Sequence, residues 1–323
     1  MAPQAPALTG VYASNNLLQG VERFADGSCL GPEDIAIDES GRIYAGMADG
    51  RIVRLEKDDR NAELFVNTGG RPSGMAFDAV GNLIVADSEK GLLSVAPDGS
   101  ITLLTNEAGG RPIGLANDLD IAEDGMVYFS DYRYYPDYVS DFMDGRPLAR
   151  LLVFDPQNGT TQVLVDGLYA ANGVTLGPGD TYILVNEMTA YRVTRYWLTG
   201  PKQGQTDIFI ENLPGYPDNI TFNGWDTYWL ALFVPRSSTM DFLQARPTLR
   251  GILKPLPLLL TTAAANVRKY GFILGLDLDG KVLHNLQDPS GKSASHITSV
   301  YEHEGMLFLG NIDDTAIYRI PVP

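Results

Sequence analysis

Six stretches of the chain carry one short pattern, and that repetition limits the fold more than any other feature. "PEDIAIDESGRIYAG" (32–46) and "PSGMAFDAVGNLIVA" (72–86) each run from a proline into alternating apolar positions, a Gly turn and a second apolar run. The pattern returns at "NDLDIAEDGMVYFSD" (117–131), "NGVTLGPGDTYILVN" (172–186), "DNITFNGWDTYWLAL" (218–232) and "TSVYEHEGMLFLGN" (298–311). Alternation at period two with Gly, Asn and Asp at the turns predicts antiparallel strands. Each copy is followed by a third strand-like run, such as "GRIVRLE" or "YRVTRYWL", and often by a fourth, such as "AELFVNT" or "TDIFIEN". Six units of four strands predict an all-β, six-bladed β-propeller. The N-terminal "VYASNNLLQGVERF" is expected to supply the outer strand of the last blade and close the ring. One domain over 1–323 accounts for the chain, with lid-like insertions at about 131–148 and 234–270.

Aligning the copies on the first residue of the inner strand brings Glu33, Ser73, Asn117, Asn172, Asp218 and Thr298 into one register. Inner strands surround the central channel of a propeller, so these residues are expected to ring one of its mouths. All six side chains carry oxygen. A strand-start hydrogen bond accounts for a polar residue at any single position; Glu, Asn, Asn and Asp in one register point further. Two close carboxylates need a compensating cation or proton. An all-oxygen set suits a hard cation, Ca²⁺ above Zn²⁺. Asn219, beside Asp218, is a further candidate ligand.

Composition narrows the partners. The net charge is −16, which argues against nucleic acid and anionic membrane, since both call for a basic face. The one cysteine, Cys29, excludes an intrachain disulfide and a cysteine-cluster metal site. "MAPQAPALTG" has neither the basic nor the apolar region of a signal peptide. No apolar run is long enough to span a bilayer, so a cytoplasmic protein acting on a small molecule is expected. The apolar stretch at 252–260 offers an alternative use as a membrane-surface or subunit contact.

The motifs "GPEDIAID", "LANDLDIAEDGMVYFSD", "AANGVTL", "GYPDNI" and "HITSVYEHEGMLFLGN" resemble those of the calcium-dependent six-bladed propeller hydrolases. That group includes the paraoxonases, diisopropylfluorophosphatase and the gluconolactonases and regucalcins; the strictosidine synthase-like proteins are more similar still. The resemblance covers nearly the whole chain. It implies a catalytic calcium on Glu33, Asn117, Asn172 and Asp218, and a second, structural ion near Asp34 and Asp118. True strictosidine synthase uses a catalytic glutamate where this chain, aligned on "EHEG", has Thr298. Threonine cannot act as a carboxylate acid or base at neutral pH. The resemblance therefore implies a hydrolase of lactones or esters, with phosphotriesters as a further substrate class.

The proton acceptor stays open between Asp218 and His296, which falls two residues before the blade-six ring position. Tyr132, Tyr134 and Tyr135 on the first insertion, with Ser73 and Thr298 on the ring, are the candidate substrate contacts. Two other readings keep the fold: a calcium-holding scaffold without catalysis, and an isomerase, lyase or condensing enzyme on the same site.

Overall fold

The computed structural model describes residues 3–57, 61–132, 145–244, 246, 248 and 268–323. It contains six four-stranded antiparallel sheets arranged as the blades of a propeller. Blade one comprises Ile35–Ile37, Ile43–Gly46, Arg51–Leu55 and Glu63–Asn67, from the channel outward. The inner strands of blades two to five are Pro72–Phe77, Ala116–Ile121, Ala171–Leu176 and Gly215–Phe222. Blade six is composite: Ile297–His303, Met306–Asn311 and Ile317–Pro321 take Glu22–Phe24 as their outer strand.

The N-terminal strand therefore closes the ring, but it is shorter than expected. Residues ahead of it form two 3-10 turns, Gly10–Tyr12 and Leu17–Gly20. They are held on the outer strand of blade five, where Asn15 donates to the Asn285 carbonyl (3.0 Å) and accepts from the Gln287 amide (3.0 Å). The chain thus fastens blade five as well as blade six.

Period two explains the core. Along each second strand, successive side chains face opposite sides of the blade. Leu83 and Val85 pack toward blade one, whereas Ile84 and Ala86 pack toward blade three. Tyr228, Leu230 and Leu232 join the cluster shared with blade four; Trp229 and Ala231 join the one shared with blade six. Both faces being buried, these strands read as unbroken apolar runs, "LIVA", "YILV" and "YWLAL".

Polar ties join the inner parts of neighbouring blades. Asp34 accepts the Met75 amide (2.8 Å), Asp118 the Val174 amide (2.8 Å), and Thr298 donates to the Glu33 carbonyl (2.6 Å). Asn186 donates to the Asp218 carbonyl, and Thr221 to that of Val300. Each tie runs between neighbouring blades, so the channel wall is one connected structure.

Tyr134, Tyr135, the 252–260 stretch and most of both insertions lie outside the described residues. Among those described, the helix Ser238–Gln244 opens the second insertion. No described helix is long and apolar enough to cross a membrane.

Candidate functional site

All six ring residues line one cavity of about 300 Å³ at the channel mouth, together with Arg71, Ser88, Glu89, Leu115, Tyr132, Met188, Phe233 and Ile312. Local backbone geometry helps to aim them. The pairing of the first two strands slips between Ala116 and Leu119, Ala171 and Val174, Pro217 and Ile220, and Ile297 and Val300. Such irregularities re-aim side chains at the end of a sheet. Here they fall on the ring position in each of those blades.

The ring is buried and acidic. Glu33, Asn117, Asn172 and Asp218 are each less than a tenth exposed. Burial pushes the Glu33 carboxyl above its ordinary range, and the Arg71 guanidinium pulls it back. Burial and then the Glu33 charge push Asp218 well up, against a hydrogen bond from Asn172. The Asn172 Oδ1 is buried with no hydrogen-bond partner among the described residues. An unpaired buried acceptor on a wall shared with two carboxyl groups fits a cation better than it fits an apolar ligand. No described cluster of three or more His, Cys, Asp or Glu side chains could hold a metal. A cation here would depend on the amide oxygens of Asn117 and Asn172, beside Glu33 and Asp218.

The other expected site residues fall in several places. Ser73 and Thr298 are on the cavity wall, with the Thr298 hydroxyl engaged by the Glu33 carbonyl. Tyr132 is buried on the wall, its hydroxyl 3.5 Å from the Met188 sulfur. Asn219 is buried, and its Cα packs against Gly173 rather than on the wall. Its Oδ1 also has no partner among the described residues. Asp34 and Asp118 are buried, each bonded to a backbone amide on the inner strand of the next blade. Burial pushes Asp34 up to about 7. Asp118 is raised by burial and then by the Asp34 charge.

His296 is not on the wall. Its ring stacks on Phe233, which is, with centroids 5.1 Å apart. Its Nδ1 lies 3.0 Å from Asp313 Oδ2, and its Nε2 is buried without a described partner. The backbone there is left-handed, with φ of 49°. A carboxylate on Nδ1 favours the tautomer whose Nε2 is the free acceptor.

Three features lie beyond the sequence-based expectations. Asp313 partners His296 from across a hairpin. Arg71 enters the ring and pairs with Glu33. Buried acids at the ends of second strands fasten the loops around the mouth: Asp87 accepts the Arg71 amide (3.0 Å), and Asp131 accepts those of Gly114 (2.9 Å) and Leu115 (3.1 Å). The repeated "GGRPSG" and "GGRPIG" are the sequence trace of those loops.

The family model for strictosidine synthase matches residues 117–201, and that for the N-terminal part of strictosidine synthase-like proteins matches residues 10–55. Strictosidine synthase-like 6 of Arabidopsis thaliana is 37% identical over 325 residues, covering 95% of this chain and 83% of its own. The adipocyte plasma membrane-associated protein of Homo sapiens is 33% identical over 340 residues, covering 98% and 81%. Among solved structures, a gluconolactonase from Xanthomonas campestris superposes with a TM-score of 0.69 at 15% identity, covering 93% of this chain and 89% of that one. A calcium-binding regucalcin from Agrobacterium tumefaciens gives 0.64 at 13%, covering 92% of each. The structural likenesses establish the propeller, and the near full-length sequence matches show that the chain belongs to the strictosidine synthase-like family.

Proposed function

We propose that the protein is a calcium-dependent hydrolase of lactones or esters, phosphotriesters included, working at the channel mouth. The observation that carries this reading is the meeting of Glu33, Asn117, Asn172 and Asp218 from four blades on one cavity wall, with Asn172 Oδ1 unpartnered among the described residues. Gluconolactonases and a calcium-binding regucalcin share the fold, which supports it. Asn219 is the further candidate donor, and Asp34 and Asp118 would hold a second, structural ion.

A divalent cation bound by the four oxygens supplies Lewis-acid polarisation of an acyl or phosphoryl oxygen. The chain's own residues do the rest. Leu115, Tyr132, Met188 and Phe233 give an apolar seat that excludes bulk water from the scissile bond. Water adds through its oxygen to the acyl carbon while Asp218 takes a proton. The ester C–O bond then breaks, and the proton passes to the departing alkoxide. Asp218 is assigned as acceptor because it is on the wall. His296, behind Phe233, would serve only if that ring swings aside.

Hydrolysis of an aryl ester and a lactone by purified protein, before and after chelation, tests the reading. Activity is expected to vanish with EDTA and return with Ca²⁺ while circular dichroism stays that of a β-protein. Calcium binding with no turnover of any ester, lactone or phosphotriester would leave a binding propeller in place of an enzyme.

A further inference from the structure

The mouth of the channel holds a cationic side chain of its own. Arg71 reaches Glu33 Oε2 through Nε (2.9 Å) and Nη2 (2.5 Å). Both bonds fall on one carboxylate oxygen, and no described residue other than Glu33 bonds the guanidinium side chain. Its backbone is fixed independently: the amide donates to Asp87 (3.0 Å), and the carbonyl accepts from the Ser88 amide (2.8 Å). The side chain is 23% exposed and lines the cavity. It is thus an anchored, solvent-reachable guanidinium whose partner is a candidate metal ligand.

Filling the ring changes the charge balance around Arg71. With a divalent cation bound, both Glu33 and Asp218 would be ionised, and their two negative charges would balance it. Arg71 then loses its described ion-pair partner inside a partly desolvated cavity, which is costly. Glu89 also lines the cavity, but it is exposed, and charges facing solvent are screened. The wall near Arg71 adds the hydroxyls of Ser73 and Ser88, whereas Leu115, Met188, Phe233 and Ile312 offer apolar surface. A planar guanidinium matches a carboxylate through paired hydrogen bonds.

We propose that Arg71 is a carboxylate receptor: with the ring loaded, it turns from Glu33 to the substrate, and the preferred substrates are lactones or esters with an apolar body and one free carboxylate. This rests on the divalent-cation reading of the ring.

A matched pair of substrates tests it: an aryl monoester of glutarate and the neutral aryl ester of the same chain length. Calcium-loaded wild type should favour the glutarate ester in kcat/KM by about 10-fold or more. Arg71→Gln should lose about 100-fold on the glutarate ester and about ten times less on the neutral one, with Arg71→Lys between. Equal losses on both would overturn the proposal and make Arg71 a positioning residue for Glu33.

Calorimetry gives readouts independent of turnover. Ca²⁺ should bind Arg71→Gln more tightly than wild type, because no guanidinium competes for Glu33; weaker binding would count against the proposal. Glutarate itself should bind the calcium-loaded wild type and not Arg71→Gln. If that holds while no ester or lactone is hydrolysed, the hydrolase reading fails and the carboxylate site stands. If Ca²⁺ binds but glutarate does not, the carboxylate site fails and the metal reading stands. If Ca²⁺ does not bind, both fail.

Discussion

Gly173→Ala is expected to destabilise the protein by about 3 kcal/mol and to weaken calcium binding with it. A Cβ at this position would lie 2.6 Å from Asn219 Cα, 2.6 Å from the Asp218 carbonyl oxygen and 2.6 Å from the Ile220 nitrogen. All three are backbone atoms of the neighbouring inner strand, so no side-chain rotamer can relieve the clash. The blades must part, and overpacking of a close-packed interior commonly costs about 1–3 kcal/mol. The position has a second consequence. Gly173 comes directly after Asn172, and the atoms it would strike belong to Asp218 and the two residues beyond it. Parting the strands therefore moves two candidate ligands from different blades away from each other.

Thermal melting and calcium calorimetry of Gly173→Ala check this, with Gly20→Ala as control. A Cβ at Gly20 meets nothing within 4 Å, so that variant should melt within about 0.5 kcal/mol of wild type. Gly173→Ala should melt lower by several degrees, on the order of 5 °C for a chain of this size. Wild-type melting and wild-type calcium affinity in Gly173→Ala would show that the two inner strands are not in the close contact described.

How much of this architecture is readable in the sequence depends on how local each signal is. The second strands advertise themselves as apolar runs because both faces are buried, and a turn Gly follows each ring residue six to eight positions later. Glu33, Asn117, Asn172 and Asp218 can therefore be found by register alone, since each is the first residue of a repeated local pattern. The outer strand of blade five, Val282–Asp288, has no such signal, because its inward residues are mixed with Asn, Gln and His. Residues 10–20 look strand-like along with the rest of the N-terminal stretch; their short turns arise from contacts with blade five, far away in sequence. Arg71 falls outside the alternating pattern, and its partner Glu33 is 38 residues away. Asp313 meets His296 only because a hairpin brings the two together. Polar partners chosen across blades leave no periodic trace, so the ligand ring is legible in the sequence and the charges that surround it are not.

Arg150→Met is expected to cost about 3–5 kcal/mol, more than loss of its aliphatic packing alone would take. Arg150 and Asp131 are both about 1% exposed. The guanidinium donates to Asp131 Oδ2 from Nε (2.8 Å) and Nη2 (2.6 Å), to the Ala108 carbonyl (2.8 Å) and to the Pro112 carbonyl (3.0 Å). Those carbonyls belong to the small ribbon formed by Glu107–Ala108 and Arg111–Pro112. Asp131 in turn holds the Gly114 and Leu115 amides, and Leu115 is on the cavity wall. Removing the arginine leaves a buried carboxylate and two carbonyls without their donor. Burial already raises the Asp131 carboxyl above its ordinary value of 3.8, with Arg150 opposing; without Arg150 it rises further. Between 3.8 and that raised value, the folded protein binds a proton that the unfolded chain does not. The stability of Arg150→Met should therefore recover as the pH falls and worsen as it rises. Denaturant melts at about pH 5 and about pH 8 check the sign: the deficit relative to wild type should be larger at the higher pH. Adding Asp131→Asn to Arg150→Met removes the orphaned charge, so the double variant should regain part of the loss and lose the extra pH dependence. A deficit that is the same at both pH values, and unchanged in the double variant, would mean that packing rather than charge fixes Arg150 beneath the ribbon.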